Sequence, residues 1–367
     1  MKAKNLLTIS MIAGVFVFGS CSKDNTPADL STAEAQTEIS SVKTTYDAES
    51  TALDNTQGMM AYNQMGQLNL PFSLPMEGNF STSSYVKSFS NRLSAVRGNN
   101  FSSMQKALNF SSDFYFQEYL GTWEWNSQTQ QFDHTSTPTD KVVVKFPYPA
   151  SNSTNNAVYT ISKYTIAYDM GEYSGDYQAN LILDGTEIWS VNYSASISST
   201  SSSATFSQNV TFKFSPYEYT ESASLTATGN ESSATISGRA SRTLKKNSNV
   251  LLSGSYDVSL KYADPNITMS VKGDLTIATI RFHFEMSYSG DGTTQPDIND
   301  LVEVTVYNAA GAKVGEMKYI TNQNQELVLM FYYNDGTSVD ASALFGNVLD
   351  EWTSFFGTTG DAWNFKK

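Results

Sequence analysis

The sequence predicts a mainly β fold, a long-stranded antiparallel meander that forms a curled sheet or half-barrel. Helices precede this sheet, and one amphipathic helix follows it. Three observations predict this class. From about residue 113, apolar and polar residues alternate with a period of two. Turn pairs such as Asp184-Gly185 and Asp335-Gly336 interrupt the alternation. The flanking segments instead carry apolar residues at spacings of three and four.

The region 32–112 is predicted to be helical. Over 31–65 the apolar residues fall at spacings of three, four and seven, which places them on one stripe of a helix. Ser31 followed by Glu34 has the spacing of a capping box, so we expect the helix to begin there. The same apolar spacing predicts a second helix over 83–96.

The region 113–367 is predicted to form the sheet and the final helix. One alternating run, 250–262, would extend about 43 Å at 3.3 Å per residue, whereas strands of five or six residues are typical. Strands this long twist and curl. Turn spacing predicts roughly eleven to thirteen strands paired with their neighbours in sequence. The segment 341–356 has a strongly amphipathic helical pattern and is expected to cap or plug the concave face of the sheet.

The N-terminus has the layout of a secretion signal. Two lysines lie within the first four residues, an apolar core covers 6–18, and small residues lead to Cys21. We therefore interpret 1–20 as a lipoprotein signal peptide and 21–31 as a lipidated tether. Cys21 is the only cysteine, so the chain can form no intramolecular disulfide and no thiolate metal site.

The motif FGSC that ends at Cys21 resembles the bacterial lipobox, with Phe in place of the usual Leu. The resemblance implies that Cys21 receives a diacylglycerol and, after cleavage, a further acyl chain such as palmitate. Two or more acyl chains anchor a protein stably. Ser22, Lys23 and Asp24 resemble the export tag of Bacteroidota surface lipoproteins. That likeness implies an outer-membrane protein on the cell-surface side, while an ordinary polar tether would leave the periplasmic side open.

The charge excludes some classes of partner. The chain has 36 acidic and 23 basic residues, a formal net charge of −13, and loss of the two signal-peptide lysines makes the mature chain more negative. Nucleic-acid binding needs basic patches, so we expect no nucleic-acid partner. The membrane is expected to be a partner only through the lipid anchor.

The sequence shows no catalytic constellation, so a non-catalytic role without a cofactor or metal is predicted. The motifs of serine hydrolases, zinc proteases and thiol redox proteins are missing. His134 is expected in an exposed loop. His283 shares the polar face of its strand with Arg281 and Glu285, which predicts a solvated charge ladder. The acidic loop 291–300 lacks EF-hand spacing and is interpreted as an ordinary turn.

Aromatic residues give the strongest hint of a binding site. Trp123 and Trp125 are two residues apart and therefore share a face of a predicted strand. If exposed, the pair would form a stacking platform for sugar rings. If buried, it would belong to the core or line an apolar cavity.

Two functional hypotheses follow. In the first, the protein is a carrier or sensor that holds a hydrophobic ligand or lipid. Its curled meander with helices resembles, in architecture only, the half-barrels of lipoprotein carriers of the LolA/LolB-like family. In the second, it is a surface-exposed accessory lipoprotein that binds a glycan or another protein. The setting of the Trp pair separates them: a cavity favours the first, and a flat exposed platform the second.

Overall fold

The computed structural model describes residues 27–74, 114–169, 172–230, 232–291, 297–323 and 327–350. The predicted signal peptide, the tag with Cys21 and the predicted helix over 83–96 therefore lie outside the described residues. No helix in the described ranges is long and apolar enough to cross a membrane.

Within the described residues, sixteen strands form one open sheet, which confirms the predicted antiparallel meander. Neighbours in sequence pair from β3 to β16, while β1 pairs with β3 in parallel and with β2 along its other side. The strands are β1 (Gly121–Asn126), β2 (Gln131–Thr135), β3 (Val142–Phe146), β4 (Ala157–Asp169), β5 (Glu172–Leu183), β6 (Thr186–Ser199), β7 (Ser203–Phe214), β8 (Tyr217–Asn230), β9 (Ser233–Lys246), β10 (Asn249–Ala263), β11 (Asn266–Ile277), β12 (Ile280–Gly290), β13 (Val302–Asn308), β14 (Lys313–Thr321), β15 (Leu327–Tyr333) and β16 (Ser338–Asp340). The number of strands exceeds the predicted eleven to thirteen because the short strands at both edges of the sheet contain too few residues to show a clear alternation of apolar and polar side chains.

The helices before the sheet are α1 (Thr32–Asp54) and α2 (Gln57–Gln67). The predicted capping box at Ser31 is present. The structure divides the helix expected over 31–65, because Thr56 leaves the helical conformation and its hydroxyl accepts a bond from the Met59 amide. Side chains that compete for backbone amides in this way start new helices.

Two further α-helices lie among the residues that the structure describes after β12, α3 (Ile298–Leu301) and α4 (Ala341–Phe345). The predicted helix 341–356 is interrupted at Gly346, which has a φ of 55°; helical backbone resumes over 347–350, and the rest lies outside the described residues. The Phe345 ring packs edge-on against Phe282 and Phe331, so α4 does cover the inner face of the sheet.

The sheet has two different faces. Along β6, for example, Trp189, Val191 and Tyr193 are buried, while Asn192 and Ser196 between and beyond them are exposed. We call the apolar side, on which the helices pack, the inner face. Hydroxyl-rich residues cover the outer face. This is the alternation expected of antiparallel sheets with one wet face.

Candidate functional site

Helices α1 and α2 pack on the inner face beside the turns at one end of the strands. The Leu30 amide, just before α1, donates to Lys313 O at 2.9 Å. Further along, Glu38 accepts a bond from the Thr279 hydroxyl at 2.5 Å, and Glu49 accepts one from Tyr217 at 2.6 Å. All of these partners sit beside the turns at one end, which we call the proximal end. The opposite end, with the β8–β9 and β10–β11 turns, is the distal end.

Two separate apolar cores lie on the inner face. The first core joins α2 to β3–β8 and includes Tyr62, whose ring stacks on Trp189 at 4.8 Å. The second core joins α1 and α4 to β8–β15. Phe206 and Leu244 pack against both cores, which places their boundary along β7–β9. We call this boundary the seam.

A polar cluster occupies the middle of the seam. Gln208, Glu221 and Arg242 are 1, 5 and 5% exposed, although their positions face the apolar side. Glu221 lies directly opposite Arg242 in the register of β8 and β9. Its Oε1 accepts a bond from Gln208 Nε2 at 3.1 Å, and its Oε2 accepts one from the Tyr219 hydroxyl at 2.8 Å. Buried charges persist when they are paired and hydrogen-bonded, and this arrangement meets that condition.

At the proximal end of the seam, α1 leaves a crevice of about 40 Å³ above the sheet. Its walls are mainly apolar and include Leu53, Leu244 and Leu252. Pockets that hold drug-sized ligands have roughly 300–1,000 Å³. The crevice is therefore a packing defect between the cores.

Beyond the seam, at the distal end, the inner face remains apolar but is less covered. The five side chains that form this distal patch lie on neighbouring strands and are partly exposed: Leu225, Ile236, Leu260, Tyr262 and Ile267. They belong to neither buried core. Register pairs Leu260 with Ile236 on one side, and Tyr262 with Ile267 on the other, so the residues are contiguous. Contiguous, partly exposed apolar surface is typical of binding sites.

The predicted Trp pair has neither of the two settings considered from sequence. The Trp123 ring stacks on His134 at 4.1 Å, meets Phe72 edge-on at 5.7 Å, and donates its Nε1 proton to Tyr119 O at 3.0 Å. Trp125 packs edge-on against Phe132 at 5.2 Å. Both Trp side chains are half-buried at the margin of the first core. The pair lines no cavity that the structure describes, and its rings form no flat open platform.

The two histidines lie on strands. His134 is on β2, so its expected loop position is wrong. Its Nε2 donates to Leu120 O at 3.0 Å, and its ring stacks on Trp123. His283 is on the outer face, as expected, with Nδ1 3.0 Å from Asp274 and Nε2 3.4 Å from Glu285. Lys272 binds the same Glu285 carboxylate at 3.1 Å and, with Asp274, extends the predicted charge ladder.

Within the described ranges, no group of three or more His, Cys, Asp or Glu residues is arranged to hold a metal ion. Asp176, an acidic residue near the β4–β5 turn, pairs with Lys163 at 3.0 Å. The chain matches no family model, and searches against curated proteins and solved structures return no significant match.

Proposed function

We propose that this chain is an outer-membrane lipoprotein, anchored through Cys21, that carries or senses a hydrophobic ligand and performs no catalysis. The distal patch is the observation that carries this proposal. Full burial of one large aliphatic side chain is worth about 1.5–3 kcal/mol. A patch of five apolar side chains therefore offers an acyl chain a sizeable driving force even when each side chain is already partly covered.

The place where the chain enters the fold supports this proposal. The chain enters the fold at Leu30, whose amide bonds to Lys313 at the proximal end. From there β10, with 15 residues, extends about 50 Å toward the distal end at 3.3 Å per residue. An acylated Cys21 would thus hold the proximal end near the membrane and leave the distal patch at the far end. In this orientation the patch meets ligands outside the membrane that carries the protein.

An alternative function is a surface accessory lipoprotein that binds a glycan or protein. The outer face favours it, since hydroxyl pairs such as Ser196–Ser207 and Ser222–Ser241, each 2.8 Å apart, form a broad polar surface. Half-buried Trp125, near the edge of the sheet, would be its aromatic contact. We rank this function second because the contiguous, partly exposed apolar residues of the inner face lie in the distal patch, away from Trp125.

Native mass spectrometry with lipid extraction tests the ligand. The mature chain with Cys21→Ser, purified from cells, is expected to carry a lipid, and Leu260→Lys in the distal patch is expected to lose it. Ser259→Lys introduces the same charge on the opposite face of the same strand and should retain the lipid. An empty protein that also takes up no added acyl ligand would refute the proposal and direct attention to glycans.

Metabolic labelling with a palmitate analogue tests the anchor separately. We expect label in the wild-type chain and none in Cys21→Ala. Protease treatment of whole cells then distinguishes the cell-surface side from the periplasmic side, since only a surface-exposed chain would be degraded.

A further inference from the structure

The seam contains a buried hydrogen-bond acceptor without a partner among the described residues, Gln208 Oε1. The orientation of this amide follows from its neighbour. An ionised carboxylate can only accept, so the Glu221 carboxylate requires the Nε2 end of Gln208, and the bond of 3.1 Å is formed. The Oε1 end must then point elsewhere. Leaving such an atom unpaired is costly, and native structures with a buried unpaired group call for a specific explanation.

Gln208 borders the distal patch. In the register of β7 and β8 it lies opposite Ala223, and the next inner-face pair toward the distal end is Phe206 opposite Leu225. Residues two apart on a strand are separated by about 6.6 Å. Gly238 lies opposite Leu225 on β9, and the Leu225 and Val258 side chains approach to within 3.1 Å of the place that a Cβ on Gly238 would take. The apolar patch therefore begins one inner-face row beyond Gln208.

Building on the proposed function, we propose that Gln208 recognises the head of the hydrophobic ligand. The ligand would be an uncharged amphiphile with a hydroxyl or amide N–H that donates to Gln208 Oε1, while its acyl chain covers the distal patch. Glu221, which is bonded to the same Gln208 side chain, disfavours an anionic head such as a fatty-acid carboxylate. Arg242, opposite Glu221, disfavours a cationic head.

Three ligands with the same chain test the donor requirement on the mature chain with Cys21→Ser. Oleyl alcohol can donate, oleyl methyl ether can only accept, and oleate is an anion. We expect the alcohol to bind about tenfold more tightly than the ether, as one hydrogen bond to a buried acceptor allows, and oleate to bind more weakly than the alcohol. Titration calorimetry or native mass spectrometry gives the three affinities.

Gln208→Met keeps the length of the side chain but removes the acceptor, so it should abolish the preference for alcohol over ether. Asn209→Met, at the next position and on the outer face, should preserve it. Equal binding of alcohol and ether to the wild-type chain would overturn the head-group assignment and leave the proposed function intact, as would a preference that survives Gln208→Met. Failure of all three ligands to bind would refute both. Should Gln208→Met not fold, the wild-type comparison still decides.

Discussion

The proximal and distal ends of the inner face have similar side chains but different cover. At the proximal end of β11, Leu275 is fully buried within the second core, whereas Leu260 on β10 and Ile267 on β11, toward the distal end, are partly exposed. Helices α1 and α2 account for the difference, since Glu38 and Glu49 of α1 bond to the sheet beside the proximal turns and Tyr62 of α2 stacks on Trp189. The comparison shows that strand alternation assigns a residue to a face, while packing of distant segments decides whether it becomes core or binding surface.

The largest effect on the free energy of unfolding is expected where α2 packs on the sheet. Trp189 is 1% exposed and stacks on Tyr62 of α2. Trp189→Ala should lower the free energy of unfolding by about 3–5 kcal/mol, because it removes a large buried ring and leaves a cavity. Denaturant unfolding measures this change. A loss below about 1 kcal/mol would mean that α2 does not stabilise the proximal end.

Two glycines of α2 provide a matched test of the same contact. A Cβ on Gly58 would lie 2.4 Å from Ile188 O, whereas a Cβ on Gly66 would meet no atom within 4 Å. Gly58→Ala should therefore cost about 1–3 kcal/mol as α2 is pushed off β6. Gly66→Ala should be neutral or stabilising by up to about 1 kcal/mol, because alanine favours the helix. Equal melting temperatures for the two variants would contradict the close approach of α2.

Glu49 joins α1 to the sheet electrostatically. Its carboxylate binds Lys246 at 2.8 Å and Tyr217 at 2.6 Å, and these bonds, the one from Lys246 first, lower the pKa of Glu49 below its usual value of 4.5. The folded state thus binds the Glu49 proton less readily than the unfolded state. The resulting stability is fully present above about pH 4.5 and is lost as the pH falls through the lowered pKa.

Glu49→Gln should accordingly cost about 1 kcal/mol at neutral pH, since the pair is partly exposed to solvent. The difference from wild type should shrink in acid. Asp176→Asn breaks the more exposed pair with Lys163 and serves as the control, with an expected change near zero. Urea titrations at pH 7 and pH 3 measure the loss of unfolding free energy in Glu49→Gln. An equal loss at both pH values would contradict a stabilising role for the ionised Glu49 carboxylate.

Much of the fold could be predicted from the sequence because the spacing of apolar residues and the residue types at turns are properties of short segments. The meander, the wet outer face and the capping box at Ser31 were all predictable in this way. The interruption at Gly346 was missed because the apolar spacing continues across it, and the parallel pairing of β1 with β3 depends on tertiary contacts. The distal patch was not predicted, and Trp123 and Trp125 were chosen instead, for a different reason. The patch residues have the same apolar alternation as the core residues, and their exposure depends on which segments pack on them.

A signal for the polar cluster was nevertheless present in the sequence. In β8, Tyr217, Tyr219 and Ala223 share one phase of the alternation, and Glu221 occupies the same phase. Arg242 likewise occupies the inner phase of β9. A charged residue in the apolar phase of a strand indicates either a buried pair or a functional group. Only the register between β8 and β9 shows that the two charges are neighbours.

The smallest effect on stability is expected at the distal end. Leu260→Ala should cost no more than about 1 kcal/mol, because its side chain is already partly exposed, while Leu275→Ala should cost about 2–5 kcal/mol at a fully buried position of the same face. Binding should show the opposite order: Leu260→Ala weakens uptake of oleyl alcohol severalfold, and Leu275→Ala leaves it unchanged in protein that remains folded. If Leu260→Ala instead destabilises the chain as much as Leu275→Ala, the distal patch is core, and a hydrophobic ligand has no surface there to occupy.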